Sequence, residues 1–280
     1  MRRSVDAVPA VLPPANIFAS RRDAPWRPSC AGYFSAHELP PFHPPLRTCH
    51  SSAFRRSLGA GACRCRPDSC FKKDARILFQ GDSITDGNRG RSADPNHILG
   101  HGYAFIIAAK YGAALAERNL TFLNRGSSGN TVIDLEKRWP KDTLELKPDV
   151  LSILIGVNDN SHGVPPEQFE QIYDKLLADT RAANPNVRLV LCAPFTLPVG
   201  KRAVNYEAWS AGLKQREAIV AKLAQKHHTA LVRFQPVFEA ACKRAPAEHW
   251  IWDGVHPTYS GQQLMADEWV RAVREFWPAP

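Results

Sequence analysis

Residues 76–87 read RILFQGDSITDG, an apolar run followed by glycine, acidic and hydroxyl residues. A short apolar run that ends at a glycine and polar turn residues is typical of a buried parallel strand. Ser83 follows that run directly, in the turn before helix-like sequence. Because an open α/β sheet binds ligands at the carboxyl ends of its strands, a hydroxyl at this position faces the expected substrate site. We therefore predict a strand over residues 76–80 and a candidate nucleophile at Ser83.

From residue 75 onward, strand-like and helix-like segments alternate, which is the pattern of βαβ units. Residues 150–155 are the most continuous apolar, β-branched run, so we expect them at the centre of the sheet. The pattern predicts five strands in a doubly wound arrangement. The predicted strands cover residues 76–80, 121–124, 150–155, 187–193 and 230–234. The predicted helices cover residues 102–117, 132–139, 141–146, 166–183, 206–227, 237–243 and 260–276, with a break at Pro140.

Residues 1–74 differ in composition from the rest of the chain. They contain ten prolines, scattered arginines and no sustained hydrophobic period, so they cannot bury enough apolar surface to offset the entropy cost of ordering. We expect a disordered or non-native N-terminal extension over residues 1–74 and one catalytic domain over residues 75–280. Prolines interrupt the apolar residues 7–19, which is unlike a regular export signal. The expected location is the cytoplasm, with secretion as the alternative if this segment is a degenerate signal.

The net charge of +9 is unevenly distributed. Residues 1–75 hold 12 Lys and Arg against 5 Asp and Glu, which gives +7 and leaves only +2 for the other 205 residues. A nearly neutral domain does not indicate a nucleic-acid partner. No stretch approaches the ~18 consecutive apolar residues of a membrane span.

Five of the seven cysteines also lie within residues 1–75. Their odd number and irregular spacing fit neither a disulfide framework nor a standard zinc site. Cys63 and Cys65 with Cys70 are a weak metal signal, and unpaired thiols are the alternative. We expect neither a bound metal nor a cofactor.

Polar residues of the types that acyl transfer needs lie in the loops of this pattern. Ser83 supplies a hydroxyl, which is a poor nucleophile until a base removes its proton. His256 follows Asp253 by three residues in a turn that contains Gly and Pro. A carboxylate at that spacing can bind one ring nitrogen and hold the other toward the serine. In this hypothesis Asp253 orients the imidazole and His256 is the general base.

An oxyanion needs hydrogen-bond donors that are fixed before the reaction starts. Gly126 has no side chain, so its backbone N–H can approach a substrate closely. Asn158, which follows the central strand, offers a neutral amide, and the backbone N–H of Ser83 is the third expected donor. The glycine-containing run 126–131 lacks the Gly-Lys-Ser/Thr ending of a P-loop, so we do not expect phosphate binding there.

Three further residues are candidate substrate contacts. Trp250 and Trp252 lie just before Asp253, and an aromatic ring can stack on the face of a sugar. Burial in the core is the alternative for both tryptophans. His162 lies in a loop near the end of the central strand, where binding residues are frequent.

Four segments of the chain carry a family resemblance when they are taken in order. They are Gly81-Asp82-Ser83-Ile84, Asn124-Arg125-Gly126, Gly156-Val157-Asn158-Asp159 and Asp253-Gly254-Val255-His256-Pro257. They resemble the four sequence blocks of the SGNH (GDSL-type) serine hydrolases, over about residues 76–275. The resemblance implies a three-layer α/β/α, flavodoxin-like fold with a five-stranded parallel sheet, and ester hydrolysis without a metal. The implied roles are a triad of Ser83, Asp253 and His256 and an oxyanion hole of Ser83, Gly126 and Asn158. The one departure is Ile84, where the family name has Leu, and this residue is expected to pack.

Further matches are similar to the acetylxylan-esterase branch of that family. They are Gly102-Tyr103, Ser128-Gly129-Asn130-Thr131, Arg138-Trp139 and Trp252-Asp253. The resemblance implies a serine esterase for small acyl esters, acetyl foremost, on xylo-oligosaccharides or other acetylated sugars. The alternatives are a lysophospholipase or thioesterase of the same fold and a non-catalytic carbohydrate-binding protein. The expected partner is an ester substrate, and homo-oligomerisation is left open.

Overall fold

The computed structural model describes residues 71–92 and 94–278. Of the disordered or non-native extension expected over residues 1–74, residues 1–70 lie outside these ranges. Within them the sheet has the order β2-β1-β3-β4-β5, and every neighbouring pair of strands is parallel. This confirms the predicted five-stranded, doubly wound sheet. The strands are β1 (Arg76–Gly81), β2 (Thr121–Asn124), β3 (Val150–Leu154), β4 (Arg188–Ala193) and β5 (Ala230–Arg233).

Helices fill the connections between the strands. They are α1 (Ser83–Asp86), α2 (Tyr103–Ala114), α3 (Val132–Trp139), α4 (Val157–Ser161), α5 (Pro166–Ala183), α6 (Tyr206–Lys226), α7 (Phe234–Ala241), α8 (Ala247–Trp250) and α9 (Tyr259–Phe276). The apolar periodicity predicted α2, α3, α5, α6 and α9 to within a few residues. The short helices α4 and α8 were not predicted, because four or five residues carry too little of a 3.6-residue period to be recognised.

The sheet separates two hydrophobic cores. Because side chains alternate along a strand, Ile77 and Phe79 of β1 enter one core while Leu78 enters the other. The first core is covered by α2, α7 and α9, and the second by α3, α5 and α6. The strands are therefore covered on both faces, which explains why their sequences are continuously apolar.

Phe71 belongs to the first core, although it precedes β1 by five residues. Its side chain is 1% exposed, its ring meets that of Tyr111 edge-on with centroids 4.9 Å apart, and it stacks on Trp269 at 6.5 Å. The folded domain therefore includes residues upstream of the expected boundary at residue 75.

Two predicted boundaries differ from the structure. Helix α7 begins at Phe234, directly after β5, whereas the sequence predicted a strand through residue 234 and a helix only from residue 237. Phe234 and Phe238 are both buried, and a spacing of four residues places them on one helix face. Their tertiary burial explains the early start of α7.

The second difference is at Pro140, where a break was predicted. The backbone stays helical there (φ −55°, ψ −52°), and a π-helical turn, Pro140–Leu144, continues α3. The N–H of Glu145 donates to the carbonyl oxygen of Pro140 at 2.9 Å. Because proline has no N–H to continue the α-helical ladder, the hydrogen bonding changes at this residue while the chain direction is kept.

The carboxyl ends of the parallel strands lie at one edge of the sheet, where the loops after β1, β2 and β3 meet the connection between α8 and α9. The polar segments singled out in the sequence lie in these loops. Within the described ranges, no helix has the length and apolar character that crossing a bilayer requires.

Candidate active site

Ser83 is the first residue of α1, and the turn that presents it is held on both sides. Asp82 precedes the helix, and its side chain accepts a hydrogen bond from the backbone N–H of Ile84 at 3.0 Å. A Cβ atom at Gly81 would lie 2.3 Å from the carbonyl oxygen of Leu154 and 2.5 Å from Oγ1 of Thr85. The strand can therefore turn into α1 this tightly only with glycine at position 81.

His256 contacts Ser83, although it lies 173 residues further along the chain. Its Nε2 lies 2.8 Å from Oγ of Ser83, and its Nδ1 lies 2.7 Å from Oδ2 of Asp253. The second carboxylate oxygen of Asp253 accepts from the backbone N–H groups of Val255 (2.9 Å) and His256 (2.7 Å). Thr258 then caps α9, because its hydroxyl oxygen accepts a hydrogen bond from the N–H of Gly261 at 3.3 Å. The fold thus brings together the three residues of the predicted triad.

The contact between Asp253 and His256 shifts the pKa of both side chains. Burial alone would raise the pKa of Asp253, but the hydrogen bonds from His256 and from the N–H of Val255 outweigh it and lower the pKa to about 2. The same hydrogen bond, with the negative charge of Asp253, raises the pKa of His256 above 6.5, against the opposing effect of burial. Asp253 therefore stays ionised and makes the imidazole a stronger base.

The predicted role of Gly126 as an oxyanion donor is wrong. Its N–H already donates to Oδ1 of Asn124 at 2.9 Å. The amide of Asn124 in turn donates to the carbonyl oxygens of Thr85 (2.7 Å) and Leu99 (2.9 Å), which fixes the loop against α1. A Cβ atom at Gly126 would lie only 2.3 Å from the backbone nitrogen of Asp86. Glycine is needed at this position for close packing, and its N–H is not available to a substrate.

Gly129, three residues further on, has the free N–H that Gly126 lacks. Within the described part of the chain this N–H makes no hydrogen bond, and no atom lies within 4 Å of the place where a Cβ would be. Its φ of +81° lies in the region that favours glycine. The pair Gly129-Asn130, which is typical of such turns, is the sequence signal that could have indicated this donor.

Asn158 lies on α4 and is half-buried. Its Nδ2 donates to the carbonyl oxygen of Asn130 at 3.0 Å, which joins α4 to the loop that carries Gly129. An amide nitrogen has two hydrogens, so one remains for a ligand. The N–H of Ser83 also makes no hydrogen bond within the described ranges. Three donors therefore remain at this edge of the sheet, on Ser83, Gly129 and Asn158.

Two buried carboxyl groups adjoin these elements. Burial raises the pKa of Asp82 to about 7 and that of Asp159 to about 6. Asp159 accepts a hydrogen bond from the N–H of Val132 at 2.9 Å. One oxygen of each group, Oδ2, has no hydrogen-bond partner among the described residues. Burial thus shifts both acids toward the neutral form, and Asp82 holds the turn through its bond to the N–H of Ile84.

A cleft of about 500 Å³ opens beside the imidazole. Trp252 lies in its wall with 64% of its surface exposed, and its ring stacks on His256 at 6.4 Å with an interplanar angle of 26°. An exposed aromatic face next to the reactive group is available to a substrate. The cleft is lined by Val157, Asn158, Ser161, Gly200, Lys201, Arg202, Trp252, Asp253, Val255 and His256.

The other two predicted substrate contacts do not line this cleft. Trp250 is 7% exposed and belongs to the first core, where its Nε1 donates to the carbonyl oxygen of Ala245 at 3.3 Å. Its predicted contact with substrate is therefore wrong, because the packing of α8 against α9 buries the ring. His162 ends α4 on the exposed surface, outside the lining of the cleft.

Arg202 forms part of the cleft wall and was not found from the sequence. Its guanidinium lies 4.1 Å above the ring of Trp209 and donates to Oγ of Ser161 at 3.1 Å. Its stem packs on Gly254, where an added Cβ would come within 2.5 Å. Arg202 thus connects the loop of Asp253 and His256 to α4 and α6. Its contacts come from three distant segments, so no local pattern indicates them.

The arrangement as a whole has the parts that acyl transfer requires. A hydroxyl is hydrogen-bonded to an imidazole, a carboxylate holds the other ring nitrogen, and the N–H groups of Ser83 and Gly129 make no hydrogen bond within the described ranges. Among the described residues, no three His, Cys, Asp or Glu side chains are grouped so that they could hold a metal ion. The fold and this site define a carboxylic ester hydrolase.

Comparison with known proteins gives the family. The model of the GDSL-like Lipase/Acylhydrolase family matches residues 79–264, which is 186 of the 280 residues. The chain belongs to this family, and the resemblance seen in the four sequence blocks is confirmed.

Individual relatives agree with this assignment. An acetylxylan esterase of Geobacillus stearothermophilus is 30% identical over 72% of this chain and 95% of its own length. The thioesterase 1/protease 1/lysophospholipase L1 of Escherichia coli K12 is 29% identical over 64% of this chain and 83% of its own. The crystal structure of a putative GDSL-like lipase from Parabacteroides merdae is 42% identical, covers 72% of this chain and 96% of its own, and has a TM-score of 0.69.

Proposed function

We propose that this esterase removes small acyl groups, acetyl foremost, from esterified sugars such as xylo-oligosaccharides, through an acyl-enzyme on Ser83. The observation that carries the proposal is the 2.8 Å contact between Oγ of Ser83 and Nε2 of His256, with Asp253 on the other ring nitrogen. The relative named acetylxylan esterase supports the acetyl group and the sugar.

The first half of the reaction forms the acyl-enzyme. Oγ of Ser83 attacks the ester carbonyl carbon while Nε2 of His256 takes the hydroxyl proton. Asp253 holds the ring and stabilises the imidazolium that forms. As the tetrahedral intermediate collapses, His256 gives that proton to the leaving sugar oxygen, and the bond between this oxygen and the carbonyl carbon breaks.

The second half regenerates the enzyme. Water attacks the acyl carbon, His256 takes a proton from the water and returns it to Oγ of Ser83, and the carboxylic acid leaves. In both halves the negative carbonyl oxygen accepts hydrogen bonds from the N–H of Ser83, the N–H of Gly129 and the amide of Asn158. Each such donor typically lowers the barrier by about 2.7–4 kcal/mol.

The residues that line the cleft support a sugar substrate. Its wall combines the polar side chains of Asn158 and Ser161 with the cations Lys201 and Arg202, and Trp252 offers an exposed ring. A long acyl chain would need a continuous apolar groove instead. A sugar fits a surface of polar groups beside an aromatic face.

The first experiment measures acetate released from acetylated xylo-oligosaccharides by the wild type and by Ser83→Ala. We expect kcat to fall by on the order of 10⁴-fold or more, as for other triad serines. Ser210→Ala is the matched control, because Ser210 is buried in α6 and donates only to Glu207 of its own helix. Equal acetate release by wild type and Ser83→Ala would refute the mechanism. Sugar binding without acetate release by the wild type would favour a non-catalytic carbohydrate-binding protein.

The relative from Escherichia coli favours a second candidate, a thioesterase or lysophospholipase activity. A series of nitrophenyl esters from acetyl to dodecanoyl separates the two candidates. For an acetyl esterase, kcat/KM is expected to fall as the acyl chain lengthens. A rise toward the long acyl chains would support the second candidate against the acetyl ester.

A further inference from the structure

Arg138, in the last turn of α3, binds two separate segments of the candidate site. Its Nε donates to Oδ1 of Asn130 at 2.7 Å, and its Nη1 donates to the carbonyl oxygen of Arg125 at 2.7 Å. Its Nη2 donates to the carbonyl oxygen of Gly81 at 3.2 Å. The side chain is 19% exposed, and Nη1 also contacts Oε1 of Gln80 at 2.9 Å. One guanidinium thus joins the end of β1 to both ends of the loop after β2.

Two of these acceptors, Gly81 and Asn130, lie close in the chain to groups that the proposed reaction uses. Gly81 lies two residues before Ser83, and its carbonyl oxygen also accepts from the N–H of Ser127 at 3.0 Å. Asn130 follows Gly129 directly, and its carbonyl oxygen accepts the amide of Asn158 at 3.0 Å. A chain of hydrogen bonds therefore runs from Arg138 through Asn130 to Asn158.

We propose that Arg138 is a positioning residue that holds the oxyanion donors of Gly129 and Asn158 in place beside Ser83. The inference rests on the proposed function, because a donor needs accurate placement only where negative charge develops. Donors that are set before the reaction lose their effect when they shift, and a displacement of about 1 Å can cost on the order of 10²-fold in rate.

Lysine cannot take over this role. The planar guanidinium has five N–H donors in a rigid fork, whereas an ammonium is a single point with three donors on a flexible stem. Arg138→Lys keeps the positive charge near Asp142, which contacts Nη1 of Arg138 at 3.3 Å. It loses the simultaneous bonds to Asn130, Arg125 and Gly81. The variant therefore tests geometry while the charge is retained.

The experiment measures kcat and KM for an acetyl ester in a double-mutant cycle of Arg138→Lys and Asn158→Ala. We expect Arg138→Lys to lower kcat about 10- to 100-fold with KM changed less than about threefold, because the lost interaction belongs to the transition state. In the Asn158→Ala background the same change is expected to cost a clearly smaller factor than in the wild type, because its effect through Asn158 is already lost and only that through Gly129 remains. Equal fold-losses in both backgrounds, or a loss in KM alone, would overturn the proposal.

Arg181→Lys is the matched control. Arg181 also donates from a half-buried position to a backbone carbonyl, that of His227 at 2.7 Å, but it joins α5 to α6 away from the cleft. Its replacement is expected to leave kcat unchanged. A loss of kcat as large as that of Arg138→Lys would mean that the effect of Arg138→Lys comes from lower stability of the protein and not from the position of the donors.

A second variant covers the case in which Arg138→Lys does not fold. Asn130→Ala removes the side-chain oxygen that Arg138 binds but keeps the carbonyl oxygen that Asn158 binds. We expect kcat about tenfold lower and the same lack of additivity with Asn158→Ala. Unchanged kcat in Asn130→Ala would refute the role of this chain of bonds.

Ser83→Ala, assayed beside these variants, separates this inference from the proposed function. Full activity in Ser83→Ala means that the proposed function fails. An inactive Ser83→Ala together with a fully active Arg138→Lys means that only the positioning role fails.

Discussion

At the scale of single residues, the protonation state of His256 decides at which pH the site can react. The imidazole lies between Oγ of Ser83 and the carboxylate of Asp253, and only its neutral form can accept the serine proton. The hydrogen bond and charge of Asp253 raise the pKa of His256, so the neutral form needs a higher pH than a free imidazole does. We therefore expect activity to rise with pH through a midpoint above 6.5.

Asp253→Asn tests this coupling. Without the carboxylate the pKa of His256 falls, so the midpoint of the acid limb of kcat/KM moves to lower pH. The rate itself falls by on the order of 10⁴-fold, because the imidazole loses its orientation and its preferred tautomer. Profiles of kcat/KM between about pH 5 and about pH 9 measure both effects.

Asp267→Asn is the control for that experiment, since Asp267 is exposed on α9 and contacts Lys110 at 3.6 Å. Its pH profile should match that of the wild type. If the acid limb of Asp253→Asn stays at the wild-type position, Asp253 does not set the basicity of His256.

At the scale of elements, the loop after β2 is packed directly onto the helix that carries Ser83. The close contact of Gly126 with Asp86 leaves no room for a Cβ atom, because its neighbours there are backbone atoms of α1. Gly126→Ala is expected to displace α1, to lower the free energy of unfolding by about 1–3 kcal/mol and to reduce kcat. Urea unfolding and acetyl-ester hydrolysis measure the two effects.

Gly112→Ala is the matched control for this prediction. Gly112 lies inside α2, and no atom lies within 4 Å of its Cβ position. Alanine there should raise the free energy of unfolding by roughly 0.5–1 kcal/mol and leave kcat unchanged. A Gly126→Ala protein as stable and active as Gly112→Ala would mean that the contact with α1 is not tight.

At the scale of the whole molecule, the carboxyl ends of the strands carry the site, and residues near their amino ends contribute to stability. The site lies at the carboxyl ends of the strands, whereas Phe71 lies near Val150 and Arg188, the first residues of β3 and β4. Phe71 packs between helices α2 and α9 through Tyr111 and Trp269. Its contribution is therefore to stability, and it is remote from the chemistry.

Phe71→Ala is expected to lower the free energy of unfolding by about 3–5 kcal/mol, the usual cost of removing a fully buried phenylalanine. At temperatures where the variant stays folded, kcat should equal that of the wild type. Phe105→Ala is the control, because Phe105 is 43% exposed on α2 and should cost under about 1 kcal/mol. A small effect of Phe71→Ala, equal to that of Phe105→Ala, would show that the folded domain does not depend on residues before β1.

Local sequence determined the order of the elements and the edge at which the polar loops meet. Five apolar runs bounded by turn residues predicted the parallel sheet, because strands covered on both faces must be apolar throughout. The family resemblance of four short blocks picked out Ser83, Asp253 and His256. The order of the elements depends on residues that are neighbours in the chain and on the rule that parallel strands end at a common edge, whereas the three site residues depend on the resemblance.

Only the tertiary structure decided the details that depend on contacts between distant segments. The side chain of Asn124 accepts a hydrogen bond from the N–H of Gly126, whereas the N–H of Gly129 makes none within the described ranges. The packing of α8 against α9 buries Trp250, while Trp252 stays exposed in the cleft. Arg138 donates hydrogen bonds to acceptors that lie up to 58 residues away in the chain. Local patterns record propensity and period, whereas the partner of a hydrogen bond and the burial of a ring are set by which remote elements pack together.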